Sequence, residues 1–249
     1  MPTDPTQRFS DRVGAYLRYR PSYPAALVDV LASQLSPDQP VADIGSGTGI
    51  FTHLLLARGA RVWAVEPNTA MRSAAEDLLG SHPHFRSVTG SAEQTGLPDQ
   101  SVAGIVAAQA FHWFDRGRCR SEFRRILQPG SWVALVWNDR TFDTPFAQAY
   151  EAFLLRYATD YTTIDHRQID PETIADFLGG QVETQVFDYE QIFDAGGLAG
   201  RYLSCSYALP ATHPAYDKAI QALADLHATH AQAGLVAMRY QTRLHFARW

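Results

Sequence analysis

Glycines at every second position after an acidic residue, Asp43-Ile44-Gly45-Ser46-Gly47-Thr48-Gly49-Ile50, point most directly to chemistry in this chain. Glycine lacks the Cβ that keeps a ligand off the backbone, so such a turn lets a nucleoside lie against the main chain. A dinucleotide clamp would place its third glycine at position 50, which is Ile50, so the spacing is wrong for a pyrophosphate grip. Further on, Val65-Glu66-Pro67 offers a carboxylate suited to accepting two hydrogen bonds from a ribose diol. His112, within Gln109-Ala110-Phe111-His112-Trp113-Phe114, is the best-placed candidate base, its alternative being a histidine that only shapes a pocket. Trp113, Trp137 and Asn138 are candidates for contact with a substrate; the alternatives are core packing for the aromatics and a cap or turn for the asparagine. His227 and His230 share a helix face with no acidic partner nearby, and Cys119 and Cys205 stand far apart, so no metal site is expected.

These residues need elements to hold them, and the chain supplies an alternating order. Short β-branched runs, Val41 to Ile44, Arg61 to Val65, Phe85 to Thr89, Ser101 to Ala107 and Trp132 to Trp137, alternate with helical patterns, which predicts a parallel sheet covered by helices. Phe51, Leu54, Leu55 and Ala57 suit a helix stopping near Gly59, while Asn68 caps one that carries Met71, Ala75, Leu78 and Leu79 and ends at Gly80. Leu127-Gln128-Pro129-Gly130 reads as a turn that halts the preceding helix. Late in the chain, Val182 to Phe193 is strand-like, and Val236, Met238, Tyr240, Thr242, Leu244 and Phe246 alternate with polar residues as a strand does. The expected fold is α/β: a Rossmann-like, doubly wound, seven-stranded mixed sheet, mostly parallel with one antiparallel late strand, helices on both faces and an added lid segment. One domain over 1–249 is expected, with an N-terminal helical cap at 8–36 and a lid-like insertion at 140–180. Phe146, Tyr150, Phe153, Leu154 and Tyr157 lie at helical spacing in that insertion, either packed on a core or closing over a ligand.

Composition narrows the function classes. With 249 residues and 46% hydrophobic content the chain can bury a sizeable core. Lys plus Arg total 21 against 26 Asp plus Glu, and the net charge of −5 opposes a sequence-independent grip on nucleic acid. Met1-Pro2-Thr3-Asp4-Pro5 lacks a basic flank before an apolar run, and later apolar runs are interrupted well short of about 18 residues, so a soluble, cytoplasmic protein with no membrane partner is expected.

Taken together, Val41-Ala42-Asp43-Ile44-Gly45-Ser46-Gly47-Thr48-Gly49, Val65-Glu66-Pro67, Gly90-Ser91-Ala92-Glu93, Gln109 to Phe114 and Leu127-Gln128-Pro129-Gly130 resemble, in order, a class I S-adenosylmethionine-dependent methyltransferase of the small-molecule type, sometimes called type 11. The resemblance spans about residues 10 to 140. It implies S-adenosyl-L-methionine as cofactor and transfer of its methyl group to a small-molecule acceptor by in-line displacement. Residue by residue, it implies that Gly45, Gly47 and Gly49 line the methionine and ribose part, that Glu66 holds the ribose hydroxyls, and that Ser91, Ala92 and Glu93 meet the adenine. Gln109 would offer its backbone to the amino group, with Asp43, Pro67 and Met71 completing the wall. In Tyr16-Leu17-Arg18-Tyr19-Arg20-Pro21-Ser22-Tyr23-Pro24, Tyr16 and Arg20 would close over the methionine end, the arginine fork taking the cofactor carboxylate. One departure is Ala103-Gly104, where the family often carries an acidic residue.

A carboxylate or stabilised carbanion would accept the methyl group without a base, whereas a phenol, amine or carbon acid requires proton removal. Aromatics in the insertion suit an apolar acceptor; Arg140, Arg156 and Arg201 suit an acidic one. The competing readings are a cofactor-binding sensor or scaffold, a nicotinamide oxidoreductase opposed by Ile50, and a nucleic-acid methyltransferase, which would often show Asn/Asp-Pro-Pro-aromatic where this chain has Ala108-Gln109-Ala110-Phe111.

Overall fold

Parallel strands covered by helices on both faces bury every side chain, which is why their sequences run apolar without alternation. The computed structural model describes residues 13–36, 38–162, 169–179 and 181–249; residues 8–12, 163–168 and 180 of the expected cap and insertion lie outside the described residues. One sheet holds β1 (Pro40–Ile44), β2 (Arg61–Val65), β3 (Phe85–Val88), β4 (Val102–Ala108), β5 (Leu127–Arg140), β6 (Glu183–Phe193) and β7 (Val236–Arg248), in the order β3-β2-β1-β4-β5-β7-β6. The first five pair in parallel, and β7 runs antiparallel to both β5 and β6. Chain order reverses between β1 and β4, the place where open α/β sheets leave a crevice beyond the strand ends.

The helices are α1 (Val13–Tyr19), α2 (Ala25–Ala32), α3 (Ile50–Leu56), α4 (Thr69–Leu79), α5 (Arg116–Ile126), α6 (Pro145–Tyr157), α7 (Pro171–Leu178), α8 (Ala195–Leu203) and α9 (Tyr216–His230). Leu27 and Leu31 of α2, Leu55 of α3 and Leu79 of α4 pack with Val41, Val62, Val106 and Val136 on one face of the sheet. Phe123 and Ile126 of α5 and Phe177 of α7 pack with Ile44, Ile105, Val133 and Leu135 on the other. Asn68 Oδ1 accepts the Met71 N–H at 2.9 Å and so starts α4, as its residue type predicts.

One sequence expectation changes, and the aromatic stripe of the insertion takes one of its two alternatives. Leu127-Gln128-Pro129-Gly130 does halt α5, but the segment then belongs to β5: Val102 pairs with Leu127 and Gly104 with Trp132, so the proline and glycine sit in a bulge that the ladder steps over. The aromatic stripe of α6 forms a third core of its own. Phe146, Tyr150, Phe153 and Leu154 bury against α8, α9 and the first residues of β7. Because β7 is reversed and Tyr240 pairs with Arg140, residues 236–239 overhang the carboxyl end of β5. That third core therefore sits beside the crevice edge of the sheet, and the insertion reaches the cavity described below through Arg140 and Tyr161.

Gly104 accounts for the departure from the family pattern in β4. A Cβ there would lie 2.3 Å from the indole of Trp132, a side chain 2% exposed. Gly104→Ala is therefore expected to destabilise the protein by about 1–3 kcal/mol through overpacking. Urea unfolding checks this as a lower midpoint at unchanged m-value.

Candidate active site

Beyond β1 and β4 lies a cavity of about 310 Å³ whose wall includes the glycine-rich turn, the end of β2, the loop after β3 and the turn after β4. The Gly45 and Ser46 N–H groups both donate to Val65 O, at 2.9 and 3.2 Å, pinning the turn to β2. Glu66 then accepts from Gly47 N–H through Oε2 and from Asn68 N–H through Oε1, both at 2.8 Å. Gly45 has φ of 71°, and a Cβ on it would stand 2.7 Å from Ala110 Cβ. Gly47, at φ of 57°, faces the open cavity: a Cβ would come within 3.5 Å of Met71 Sδ and 3.9 Å of the Tyr16 hydroxyl. Gln109 is a non-glycine residue at φ of 57°, held there by its N–H on Val136 O at 2.8 Å. Such strain recurs where a backbone must face a ligand.

The electrostatics are uneven. Burial pushes Asp43 up to about 7, against the hydroxyl of Thr52, which donates to Oδ2 at 2.6 Å; neighbouring Glu66 adds to the rise. Glu66 is also raised, chiefly by burial, with the Asn68 and Gly47 N–H groups opposing. The loop carrying Ser91, Ala92 and Glu93 is tied down twice. Glu93 Oε1 accepts the Asp115 N–H at 2.9 Å, and Thr95 donates through its N–H to Glu122 at 2.8 Å. Hydrogen bonding from Arg125, with Thr95 adding to it, holds Glu122 down at about 2.

Of the residues singled out from sequence, Tyr16, Arg20, Asp43, Gly45, Gly47, Glu66, Pro67, Met71, Ser91, Ala92, Glu93, Gln109, His112, Trp113 and Asn138 line this cavity. Gly49 does not. It precedes α3, where a Cβ would meet Leu79 Cδ1 at 2.8 Å and Ala75 Cβ at 3.3 Å, so its smallness serves contact with α4 instead of a ligand. Trp137 does not either; it is 3% exposed, in the core, with its ring 6.0 Å from that of Phe111. Side chains alternate along a strand, so Trp137 and Asn138 cannot face the same way. Asn138 reaches the wall, but its amide also straps the fold: Nδ2 donates to Ser22 O at 3.0 Å and Oδ1 accepts from Thr242 at 2.6 Å.

Sequence reasoning overlooked Tyr23, Asn68, Ser206 and Tyr207 as wall residues; of the three arginines it held as partners for an acidic acceptor, Arg140 and Arg201 line the wall and Arg156 does not. Arg140 and Arg201 carry no motif. Their signal was basic residues inside otherwise apolar helix and strand patterns.

Residues 42–135 match the family model described as a methyltransferase domain. Over 137 residues the chain is 40% identical to an uncharacterized methyltransferase of Mycobacterium tuberculosis, covering 55% of this chain and 54% of that one. A methyltransferase-like protein of Schizosaccharomyces pombe is 31% identical over 155 residues, 61% of this chain and 59% of its own. The chain thus spans about half the length of the curated relatives it matches. Among solved structures, a proposed type II methyltransferase from Anaeromyxobacter dehalogenans aligns with a TM-score of 0.64 at 25% identity, over 92% of this chain and 98% of that one. Geranyl diphosphate C-methyltransferase from Streptomyces coelicolor, solved with Mg²⁺, geranyl diphosphate and S-adenosyl-L-homocysteine, aligns at 0.52 with 16% identity, over 99% of this chain and 86% of that one; that likeness is one of fold.

Because Asp43 titrates higher in the folded chain than in the unfolded one, the folded state binds the extra proton between about pH 4 and 7, and stability from this group falls as pH rises through that window. Asp43→Asn removes the term. Urea midpoints at pH 5 and pH 8 are expected to fall more for wild type than for the variant, by on the order of 2 to 4 kcal/mol of stability. Equal changes in both would refute the buried-acid assignment.

Proposed function

We propose, from the match of residues 42–135 to the methyltransferase-domain model and the likeness to methyltransferase relatives, that this chain is an enzyme transferring a methyl group from S-adenosyl-L-methionine to a small-molecule acceptor. The observation that carries this reading is the Glu66 carboxylate, set at the open face of the glycine turn with each oxygen holding one backbone N–H. Each oxygen keeps a further lone pair, which is what a ribose diol needs.

The cavity fits the adenosyl amino acid in its donor set. Arg20 Nε, Asp43 Oδ1, Ser46 Oγ and Thr48 Oγ1 are buried polar atoms in the wall that have no hydrogen-bond partner among the described residues. Buried polar atoms are ordinarily satisfied, so a wall with several such atoms together is suited to a polar ligand. Arg20, lying over the Tyr16 ring at 4.7 Å, would take the ligand's carboxylate, and Asp43 its ammonium. Ser91, Ala92 and Glu93 would face the adenine. Ile50 occupies the wall where a dinucleotide clamp would carry glycine, which disfavours a nicotinamide cofactor.

S-adenosyl-L-methionine, when bound, supplies a methyl group on a sulfonium, whose C–S bond breaks with its electron pair on sulfur as the acceptor's lone pair forms the new bond. The protein's part is alignment and exclusion of water, and alignment alone contributes about 7 to 11 kcal/mol in favourable cases. His112, in the short turn Phe111–Trp113 with its ring 4.7 Å from that of Trp113, would receive a proton from an acceptor that must lose one. Among the described residues no helix is long and apolar enough to cross a membrane.

Glu66→Gln keeps an oxygen for the Gly47 or Asn68 N–H but loses the charge. Calorimetry is expected to find S-adenosyl-L-homocysteine bound about tenfold more weakly, with a lowered melting temperature because the amide NH2 then faces one backbone N–H that loses its acceptor. Gly47→Val introduces a branched side chain into the cavity at a left-handed backbone position, and loss of measurable adenosylhomocysteine binding is expected. Wild-type affinity in either variant, or binding of NAD in place of the adenosyl ligands, would overturn the assignment.

A further inference from the structure

Arg201, on α8, is 4% exposed and stands in the cavity wall. Its Nη1 donates to Cys205 Sγ at 2.8 Å and its Nε reaches the Tyr240 hydroxyl at 3.3 Å. Among the described residues it makes no ion pair with a carboxylate, and its Nη2 makes no hydrogen bond. A guanidinium stays protonated, and a buried charge without a counter-charge carries a heavy desolvation cost. The nearby arginines do not relieve it. Arg140 is already paired: its Nη2 lies 3.0 Å from Glu151 Oε2, and Tyr161 joins them. Arg20 arrives on the neighbouring α1, whose Tyr19 ring packs directly on Gly200 of α8. Burial pushes the Cys205 thiol up, and Arg201 first, then Arg20, a hydrogen bond with Tyr207 and Arg140 bring it down to about 7, so Cys205 offers Arg201 a partial counter-charge at Nη1 and leaves the Nη2 edge without one among the described residues.

Among the described residues, three guanidiniums and one paired carboxylate, Glu151, stand around this end. If Arg20 takes the carboxylate of the cofactor, Arg201 is left over. The sulfonium adds positive charge to the same space, which opposes a cationic acceptor and favours an anionic one.

We infer that the acceptor is an organic carboxylate, and that Arg201 is the residue that seats it, through the free edge of its guanidinium fork. The inference rests on the methyltransferase reading, since it assigns the acceptor of the same cavity. Tyr161, Tyr207 and Trp113 in the wall surround the carbon skeleton. A planar fork matches a planar carboxylate in a bidentate way that lysine does not reproduce.

The test is calorimetric, with protein saturated by S-adenosyl-L-homocysteine and two pairs of probes: phenylacetate with phenylacetamide, and glutarate with glutaramide. At least one acid is expected to bind about tenfold or more tightly than its amide, as a charge-assisted pair requires. Arg201→Met is expected to abolish that preference while adenosylhomocysteine affinity stays within about threefold of wild type. Arg156→Met, an exposed arginine off the cavity wall, keeps the preference. Should Arg201→Met lose adenosylhomocysteine binding through misfolding, Arg201→Lys decides: a weaker but surviving preference for the acid is expected, and wild-type acid affinity overturns the seat. Equal binding of acid and amide by wild type, no binding of either acid to the adenosylhomocysteine-loaded protein, or an undiminished preference in Arg201→Met also overturns it. If wild type fails to bind adenosylhomocysteine at all, the methyltransferase reading itself falls and the acceptor seat with it.

Discussion

A single buried carboxylate holds the site together. Glu66 grips the N–H of Gly47 with one oxygen and the N–H of Asn68 with the other, joining the turn after β1 to the turn after β2. Asn68 in turn caps α4 through Met71, so the same carboxylate sets where that helix begins. Taking a carboxylate out of water is costly unless hydrogen bonds replace the solvent, and here backbone donors do so without needing a counter-ion. Removing this group would release the glycine turn, the wall at Met71 and the start of α4 together.

From that anchor the cavity has a polarity. Asp43 and Glu66 mark one end with two carboxylates, one of them raised to about 7 by burial. Arg140 and Arg201 bring guanidiniums from later in the chain, while Arg20 stands near Asp43, both acting on Tyr23. The strained backbone at Gln109 lies between, where β4 ends and the wall must turn to face the ligand.

Much of the fold was legible because local patterns agreed with the global arrangement. Continuous apolar runs marked the parallel strands, and Asn68 capped its helix as its chemistry dictates. Spacing alone was weaker within the site. It could not tell Gly49, which gives room to Leu79 and Ala75, from Gly47, which gives room to the cavity. Nor did being at a strand end decide that Asn138 faces the wall and Trp137 the core, since that depends on which side of the pleat is which. Gly104 reads in sequence as a missing acid, and only the register with Trp132 shows a large ring filling the space. The guanidinium end was the least legible: Arg140, Arg201 and Tyr207 are distant in sequence, share no motif, and meet only once the chain has folded.

That last point separates the two halves of the site. Glycine turn, Glu66, the Ser91 loop and the His112 turn all lie between residues 42 and 135, the stretch matching the family model. Arg140, Tyr161, Arg201 and Tyr207 lie after it, on the insertion and on the helix and turn that follow β6. They reach the cavity because β7 is reversed. Its overhanging start gives α6, α8 and α9 an apolar ledge of Val236, Met238 and Tyr240 to pack on, at the crevice edge of the sheet. Side chains in such an added core can change without disturbing the strands that hold the glycine turn, because the two share few contacts. The glycine turn meets the cavity through backbone geometry, whereas the later segments meet it through side chains. Arg201, buried on α8 in the cavity wall, makes no ion pair with a carboxylate among the described residues.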